Sequence, residues 1–240
     1  MRVFARTDVG KLRPINEDSF YAPNPGEFFC AVADGMGGHN AGEVASGIAV
    51  KRFGECMREA RPPYDQAIKQ AVESANAAIY AAARGKPEYN GMGTTMTALC
   101  EHGKDVFIAH VGDSRAYLLR NGAIVPVTKD HTLVEEMVES GLITIEEARV
   151  HPKRNYITRA LGTGPDVQVD VLRLDRRSHD VYLLCSDGLS NHVTEREMRD
   201  TLMTAESGEA AVERLVQIAL ERGGPDNITA MIATCEEDPE

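Results

Sequence analysis

Three largely apolar runs in this chain each lead into an aspartate, and a fourth run begins shortly after one. Short apolar runs bounded by polar and glycine-rich segments predict buried strands. The runs are 28–33, 106–111, 181–185 and 228–233, and their aspartates are Asp34, Asp113, Asp187 and Asp226. If the last strand is antiparallel to its neighbours, its start lies at the edge where the other strands end. The pattern therefore predicts that four carboxylates meet at one edge of the strands.

A carboxylate at the end of a buried strand is costly unless a cation or an arginine lies beside it. The glycines that follow Asp34 allow a tight turn and bring backbone carbonyls close to a bound group. Taken alone, this stretch fits equally well an aspartate that caps a glycine-rich turn. The recurrence of the pattern favours a metal site instead. Oxygen ligands without Cys or His clusters suit Mg²⁺ or Mn²⁺ rather than zinc.

Composition narrows the class of protein. A formal net charge of −11 argues against binding to a nucleic-acid backbone. No apolar run approaches the roughly 20 residues of a membrane span, and the first residues contain no apolar signal-peptide core. The five cysteines are widely spaced and lack a Cys-x-x-Cys motif, so reduced thiols in the core are expected. We expect one cytoplasmic domain over residues 1–240, without a nucleic-acid or membrane partner.

The order of the predicted elements excludes an all-parallel sheet. Asn121-Gly122 is a strong signal for a two-residue hairpin in the middle of the chain. Helical periodicity predicts one pair of helices before this meander, beginning near residue 41, and another pair after it, ending near residue 222. Neither a Gly-x-Gly-x-x-Gly fingerprint nor a Walker lysine is present. The chain is expected to be an α+β protein with two antiparallel sheets flanked by helix pairs.

Two segments leave alternatives open. Residues 130–161 form a polar, irregular insert with a capping box at Thr144–Glu147, which fits either a lid or recognition flap or a surface helical connection. Glu17 and Asp18 precede a strand. They fit either solvated turn residues or partners that orient metal-bound water.

A set of motifs then carries a resemblance over nearly the whole chain. The motifs follow one another in the order seen in the metal-dependent serine/threonine protein phosphatases, which are the PPM family of type 2C. Within that family, the chain is most similar to the compact bacterial branch. The motifs are Arg13 with Asn16-Glu17-Asp18, Ala33-Asp34-Gly35-Met36-Gly37-Gly38-His39, Gly93-Thr94-Thr95, His110-Val111-Gly112-Asp113-Ser114-Arg115, Cys185-Ser186-Asp187-Gly188-Leu189 and Gly224-Pro225-Asp226-Asn227.

The resemblance implies a four-layer αββα sandwich with two Mg²⁺ or Mn²⁺ ions, and a third in some bacterial members. Asp34 would bridge the two ions, Asp187 and Asp226 would complete one site, and the Gly35 carbonyl would serve the other. Asp113 with Asp187 matches the third position, and Arg13 matches the arginine that binds phosphate. Glu17, Asp18 and Asn227 would contact and orient the groups that bind the metal ions. Residues 130–161 match the flap. The implied partners are phosphorylated proteins, including a Ser/Thr kinase. The chain is expected to act on them as a monomer.

The implied chemistry is direct attack of water on phosphorus. Two neighbouring cations lower the pKa of a shared water and clamp the attacking oxygen, so no protein nucleophile is needed. The leaving alkoxide needs a proton, and many family members have a histidine where this chain has Met36. His39 is the nearest histidine and is the candidate general acid, although a histidine that only hydrogen-bonds within the glycine loop fits equally well.

Two other functions remain open from the sequence. One is a pseudophosphatase that binds phosphoproteins without hydrolysis, against which the complete set of four aspartates and Arg13 argues. The other is a metal-dependent phosphohydrolase that acts on a small molecule, because the sequence does not define the surface that binds substrate.

Overall fold

The strands form two antiparallel sheets. The computed structural model of the protein describes residues 1–37 and 41–235. Its strands are β1 Arg2–Asp8, β2 Asp18–Tyr21, β3 Phe29–Met36, β4 Gly93–Thr94, β5 Met96–His102, β6 Asp105–Val111, β7 Arg115–Arg120, β8 Ala123–Pro126, β9 Asp170–Asp175, β10 Val181–Cys185 and β11 Ile228–Thr234. Its α-helices are α1 Gly42–Glu59, α2 Tyr64–Gly85, α3 Leu133–Glu139, α4 Ile145–Val150, α5 Asp187–Ser190, α6 Glu195–Thr204 and α7 Gly208–Glu221, with a short 3₁₀ helix at Pro87–Tyr89.

One sheet has the strand order β1-β11-β10-β7-β8, and the other has β2-β3-β5-β6-β9, with β4 paired to β3. The predicted hairpin joins β7 to β8, where Asn121 and Gly122 have φ values of 52° and 75°. Positive φ at both central residues is what a type I′ turn requires. Strand β11 is antiparallel to both β1 and β10, which meets the condition under which its start lies at the edge where the other strands end.

The side chains of β3 show how the layers are built. Cys30 and Val32 point between the two sheets and pack against residues of β10 and β11. Phe29, Ala31 and Ala33 point the other way, against α1 and α2. This alternation is what the two-residue period of a strand produces. Helices α6 and α7 cover the outer face of the first sheet. The predicted four-layer αββα sandwich is thus confirmed.

The flap, residues 130–161, leaves β8 and returns towards β9 with α3 and α4 between. Its capping box at Thr144–Glu147 is present. The two ends of the flap lie side by side, since the backbone N–H of Leu133 donates to Tyr156 at 2.9 Å and that of Thr158 donates to His131 at 2.8 Å. The flap is therefore a loop closed at its base.

The cysteines lie mainly in the core. All five are free, and all but the half-buried Cys56 are buried. None of the helices within residues 1–37 and 41–235 combines the length and the apolarity needed to span a bilayer.

Candidate metal centre

The aspartates predicted to converge lie at one edge of the sandwich. Asp34 is near the end of β3, and Asp113 follows β6. Asp187 follows β10 as the first residue of α5, while Asp226 precedes β11. Because β11 is antiparallel to β10, its start lies beside the end of β10. The fold thereby brings the four carboxylates into one cluster.

Without a cation, burial and mutual repulsion disfavour the ionised form of the carboxylates in this cluster. Burial, followed by the charges of Asp18 and the other three aspartates, raises the pKa of Asp34 well above its usual range. Burial and the charge of Asp226 raise the pKa of Asp187, whose carboxyl group lies close enough to that of Asp34 for the two to interact. Neighbouring carboxylates repel one another when both are ionised, and a cation between them would relieve that repulsion. Burial also raises the pKa of Asp113 to about 8.

Asp18 lies beside Asp34, to which it is paired across β2 and β3. Its Oδ2 accepts hydrogen bonds from Ser186 Oγ at 2.7 Å and from Thr229 Oγ1 at 2.6 Å. Its Oδ1 is buried and has no hydrogen-bond partner among the described residues. Burial raises the pKa of Asp18 to about 7. A cation, or water held by one, would satisfy the oxygen that the protein leaves without a partner.

Arg13 is at the same edge. Its Nη2 donates to Asp226 Oδ2 at 2.9 Å, and this bond raises the pKa of Arg13. The side chain is 49% exposed, so the guanidinium lies at the surface beside the carboxylates. A planar guanidinium in that place is suited to bind the oxygens of a phosphate.

Asn227 fixes the segment that carries Arg13. Its Oδ1 accepts from the backbone N–H of Glu17 at 2.8 Å. Its Nδ2 donates to the backbone carbonyls of Val9 at 2.9 Å and Ile15 at 3.0 Å. One side chain at the start of β11 therefore holds both ends of the loop in which Arg13 lies. This explains structurally why an asparagine follows Asp226.

Glu17 and Gly35 pack against the start of α1. Burial raises the pKa of Glu17, and its carboxyl group lies against the backbone of Gly42, which partly opposes that shift. A Cβ added at Gly35 would lie 2.2 Å from the Gly42 carbonyl oxygen. Only glycine fits at position 35, and the backbone there approaches α1 and Glu17 closely. His39 lies outside the described residues.

The donor set fits magnesium or manganese. Within residues 1–37 and 41–235, no group of three or more His, Cys, Asp or Glu side chains is arranged to hold one metal ion. Mg²⁺ in proteins commonly uses one or two carboxylates and keeps several water ligands. The closeness of the buried Asp34 and Asp187 carboxyl groups and the unpartnered Asp18 oxygen are the two observations that call for a cation here.

Sequence reasoning missed several residues around the centre. The hydroxyl groups of Ser186 and Thr229 hold Asp18, and Arg115 forms a bidentate pair with Asp130 beside the Asp113 loop, at 2.8 and 2.7 Å. His131 Nδ1 accepts from the backbone N–H of Gly112 at 3.0 Å. Ser186 and Arg115 stand inside motifs that the sequence had marked. Thr229 and His131 had no such signal, because only the tertiary fold brings them near.

Comparison with known proteins identifies the family. Residues 14–229 match the protein phosphatase 2C family. Serine/threonine protein phosphatase PstP of Mycobacterium tuberculosis is 44% identical over 235 residues, which are 97% of this chain and 45% of that protein. The chain thus spans about half the length of that relative. Serine/threonine phosphatase stp of Listeria welshimeri is 38% identical over 95% of this chain and 93% of its own length.

A solved structure shows the same architecture. The catalytic domain of serine/threonine protein phosphatase PstP, in complex with two manganese ions, superposes with a TM-score of 0.89 at 40% identity, covering 98% of both chains. The resemblance seen in the motifs is confirmed: the chain belongs to the protein phosphatase 2C family.

Proposed function

We propose that this chain is a metal-dependent protein phosphatase that hydrolyses phosphoserine and phosphothreonine. The observation that carries the proposal is the cluster of Asp34, Asp187 and Asp226 at one edge, with Arg13 bonded to Asp226. Its membership in the protein phosphatase 2C family supports the same reaction, as does its similarity to serine/threonine phosphatases of Mycobacterium and Listeria.

The proposed metal ligands are the acidic residues of the cluster. Asp34 would be the ligand shared by two ions, Asp187 and Asp226 would serve one of them, and the Gly35 carbonyl would serve the other. Asp113 with Asp187 is the proposed third site. The manganese ions in the PstP complex support two ions of this type. When bound, such cations neutralise the carboxylates and lower the pKa of water for attack on phosphorus.

The remaining residues of the site bind the phosphoryl group or orient the groups around it. Arg13 holds the phosphoryl oxygens through its guanidinium fork. Asp18 and Glu17 would accept hydrogen bonds from water around the ions. Asn227 keeps the Arg13 loop in place. His39 remains the proposed donor of the proton to the leaving oxygen of serine or threonine.

The proposal also covers the substrates of the enzyme, its cellular compartment and its oligomeric state. The substrates are phosphorylated proteins, among them a Ser/Thr kinase that the enzyme opposes. We propose that the enzyme works in the cytoplasm as a monomer, with residues 1–240 as one catalytic domain and 130–161 as its flap.

The test is phosphate release from a phosphothreonine peptide. With Mn²⁺ present, we expect turnover that EDTA abolishes. Asp187→Asn should lower turnover by more than about 100-fold, since even partners of metal ligands contribute 10–100-fold. Asp65→Asn, an exposed position on α2, is the matched control and should retain full activity. Turnover that is insensitive to both EDTA and Asp187→Asn would refute the proposal.

A further inference from the structure

The acidic and the basic residues of the flap lie in separate halves of its sequence. Residues 130–147 contain six acidic residues and no Lys or Arg, whereas residues 148–161 contain four basic residues and no acidic one. The basic residues are Arg149, Lys153, Arg154 and Arg159. The four basic residues thus follow one another without an acidic residue between them, in a chain whose formal net charge is −11.

The two halves also differ in how their charges are satisfied. In the acidic half, Asp130 is paired with Arg115, and Glu139 Oε1 lies 2.8 Å from Lys129 Nζ. Glu147 closes the capping box of α4. Three of the six acidic residues therefore have partners within the fold.

In the basic half, Arg159 is paired with Asp170 at 3.0 Å. Arg149, Lys153 and Arg154 are exposed and make no ion pair with any residue in the described ranges. Arg149 lies in the last turn of α4, where a cation also suits the helix dipole. No such role accounts for Lys153 and Arg154, which follow the helix. We call residues 149–156 the basic loop.

The basic loop is anchored close to the metal centre. His131, at the base of the flap, bonds to the backbone of Gly112, the residue before Asp113, through its ring and through its own N–H at 2.7 Å. Thr158 bonds to His131. Arg154 is four residues from Thr158, so its backbone lies within roughly 14 Å of that anchor, the length of about four extended residues. A substrate segment bound at the centre can span this distance.

We infer that the basic loop binds a second phosphoryl group on the substrate, within about four residues of the one that is hydrolysed. A phosphate ester carries about two negative charges and three strong acceptor oxygens, which neighbouring Lys and Arg side chains match better than a single carboxylate would. Val150 and Tyr156, 79% and 64% exposed, offer apolar surface beside the cations. The inference rests on the proposed phosphatase function and specifies its substrates as multiply phosphorylated segments.

The experiment compares three phosphothreonine peptides that differ at one position, four residues before or after the scissile group. That position holds alanine, aspartate, or phosphonomethylalanine, a phosphoserine mimic that is not hydrolysed. We expect kcat/KM to be about fivefold to tenfold higher for the phosphonate peptide than for the alanine peptide, through a lower KM. The preference should weaken as salt is added. Aspartate should give a smaller gain.

The variant K153E/R154E should lose this preference while keeping turnover of the alanine peptide and of an aryl phosphate. The matched control K51E/K104E makes the same change of charge at exposed lysines on α1 and in the β5–β6 turn, and should keep the preference. Should the charge reversal disturb folding, K153Q/R154Q serves in its place. Equal preference in wild type and variant, or none in wild type, overturns the inference.

Binding separates this inference from the proposed function. Titration of a labelled peptide in which both phosphates are replaced by phosphonates needs no turnover. Tighter binding by wild type than by K153E/R154E, in a protein that releases no phosphate from any peptide, would refute the phosphatase proposal alone. Turnover of all peptides with identical binding to both proteins would refute the second phosphate site alone.

Discussion

At the scale of single residues, Asp18 shows how the metal centre and the stability of the fold are linked. Its carboxyl group is buried beside Asp34, and burial raises its pKa to about 7. An aspartate in an unfolded chain has a pKa of about 3.9. The native, metal-free protein therefore binds this proton more tightly than the unfolded chain does. The contribution of Asp18 to the free energy of unfolding must then fall as pH rises from about 4 to about 7, and level off above.

Asp18→Asn should remove that pH dependence, because asparagine has the shape of the protonated acid and carries no charge. As pH rises, the variant should therefore gain stability relative to wild type. Measured in EDTA, the difference between their free energies of unfolding (variant minus wild type) should increase by about 2 kcal/mol between pH 5 and pH 8. Urea unfolding followed by circular dichroism measures both values. Asp65→Asn, at an exposed position, should show no such change. A difference for Asp18→Asn that is constant with pH would contradict the argument.

At the scale of elements, the centre depends on how closely α5 approaches the turn before β11. A Cβ added at Gly188 would lie 1.9 Å from the backbone oxygen of Asn227, a contact that only a shift of the backbone can relieve. Gly188 follows Asp187, and Asn227 follows Asp226. The missing side chain at position 188 is therefore what lets these two aspartates come together.

Gly188→Ala should separate the two elements. We expect the free energy of unfolding to fall by about 1–3 kcal/mol, as for other overpacked sites, and Mn²⁺ to bind more weakly. Gly47→Ala is the matched control: it lies inside α1 with nothing within 4 Å of the added Cβ, and should stabilise the protein by about 0.5–1 kcal/mol. Chemical unfolding and Mn²⁺ titration test both variants. Equal effects of the two substitutions would show that the contact at Gly188 is not limiting.

Elements set by local sequence were predictable, and those set by tertiary contact were not. The capping boxes at Thr144 and Thr194 follow from residues three positions apart, and both are present. Helix α5 spans four residues and packs on β11, so no periodicity could indicate it. Ser186 and Thr229 are 43 residues apart and meet only because β10 pairs with β11. The sequence thus indicated which aspartates converge, but not the hydroxyl groups that hold their neighbour Asp18.

At the scale of the whole molecule, buried apolar surface is distributed unevenly. The sandwich has apolar layers between its sheets and beneath both pairs of helices. In the flap, α3 buries only Val134 and α4 buries no residue. Regions with few buried contacts open at a lower free energy than the core. The flap should therefore open while the sandwich stays folded.

Limited digestion with trypsin tests this difference, because the basic loop contains three cleavage sites. We expect the first cuts after Arg149, Lys153 or Arg154, identified by mass spectrometry, with the two fragments remaining associated through the sandwich. The exposed loop around Lys11 also holds a trypsin site and should be cut later, while the Arg13–Pro14 bond resists trypsin. There the backbone N–H of Lys11 donates to Gly224 at 2.7 Å, and Arg13 is bonded to Asp226. First cleavage at Lys11, or within α1 or α7, would mean that the flap is as stable as the sandwich.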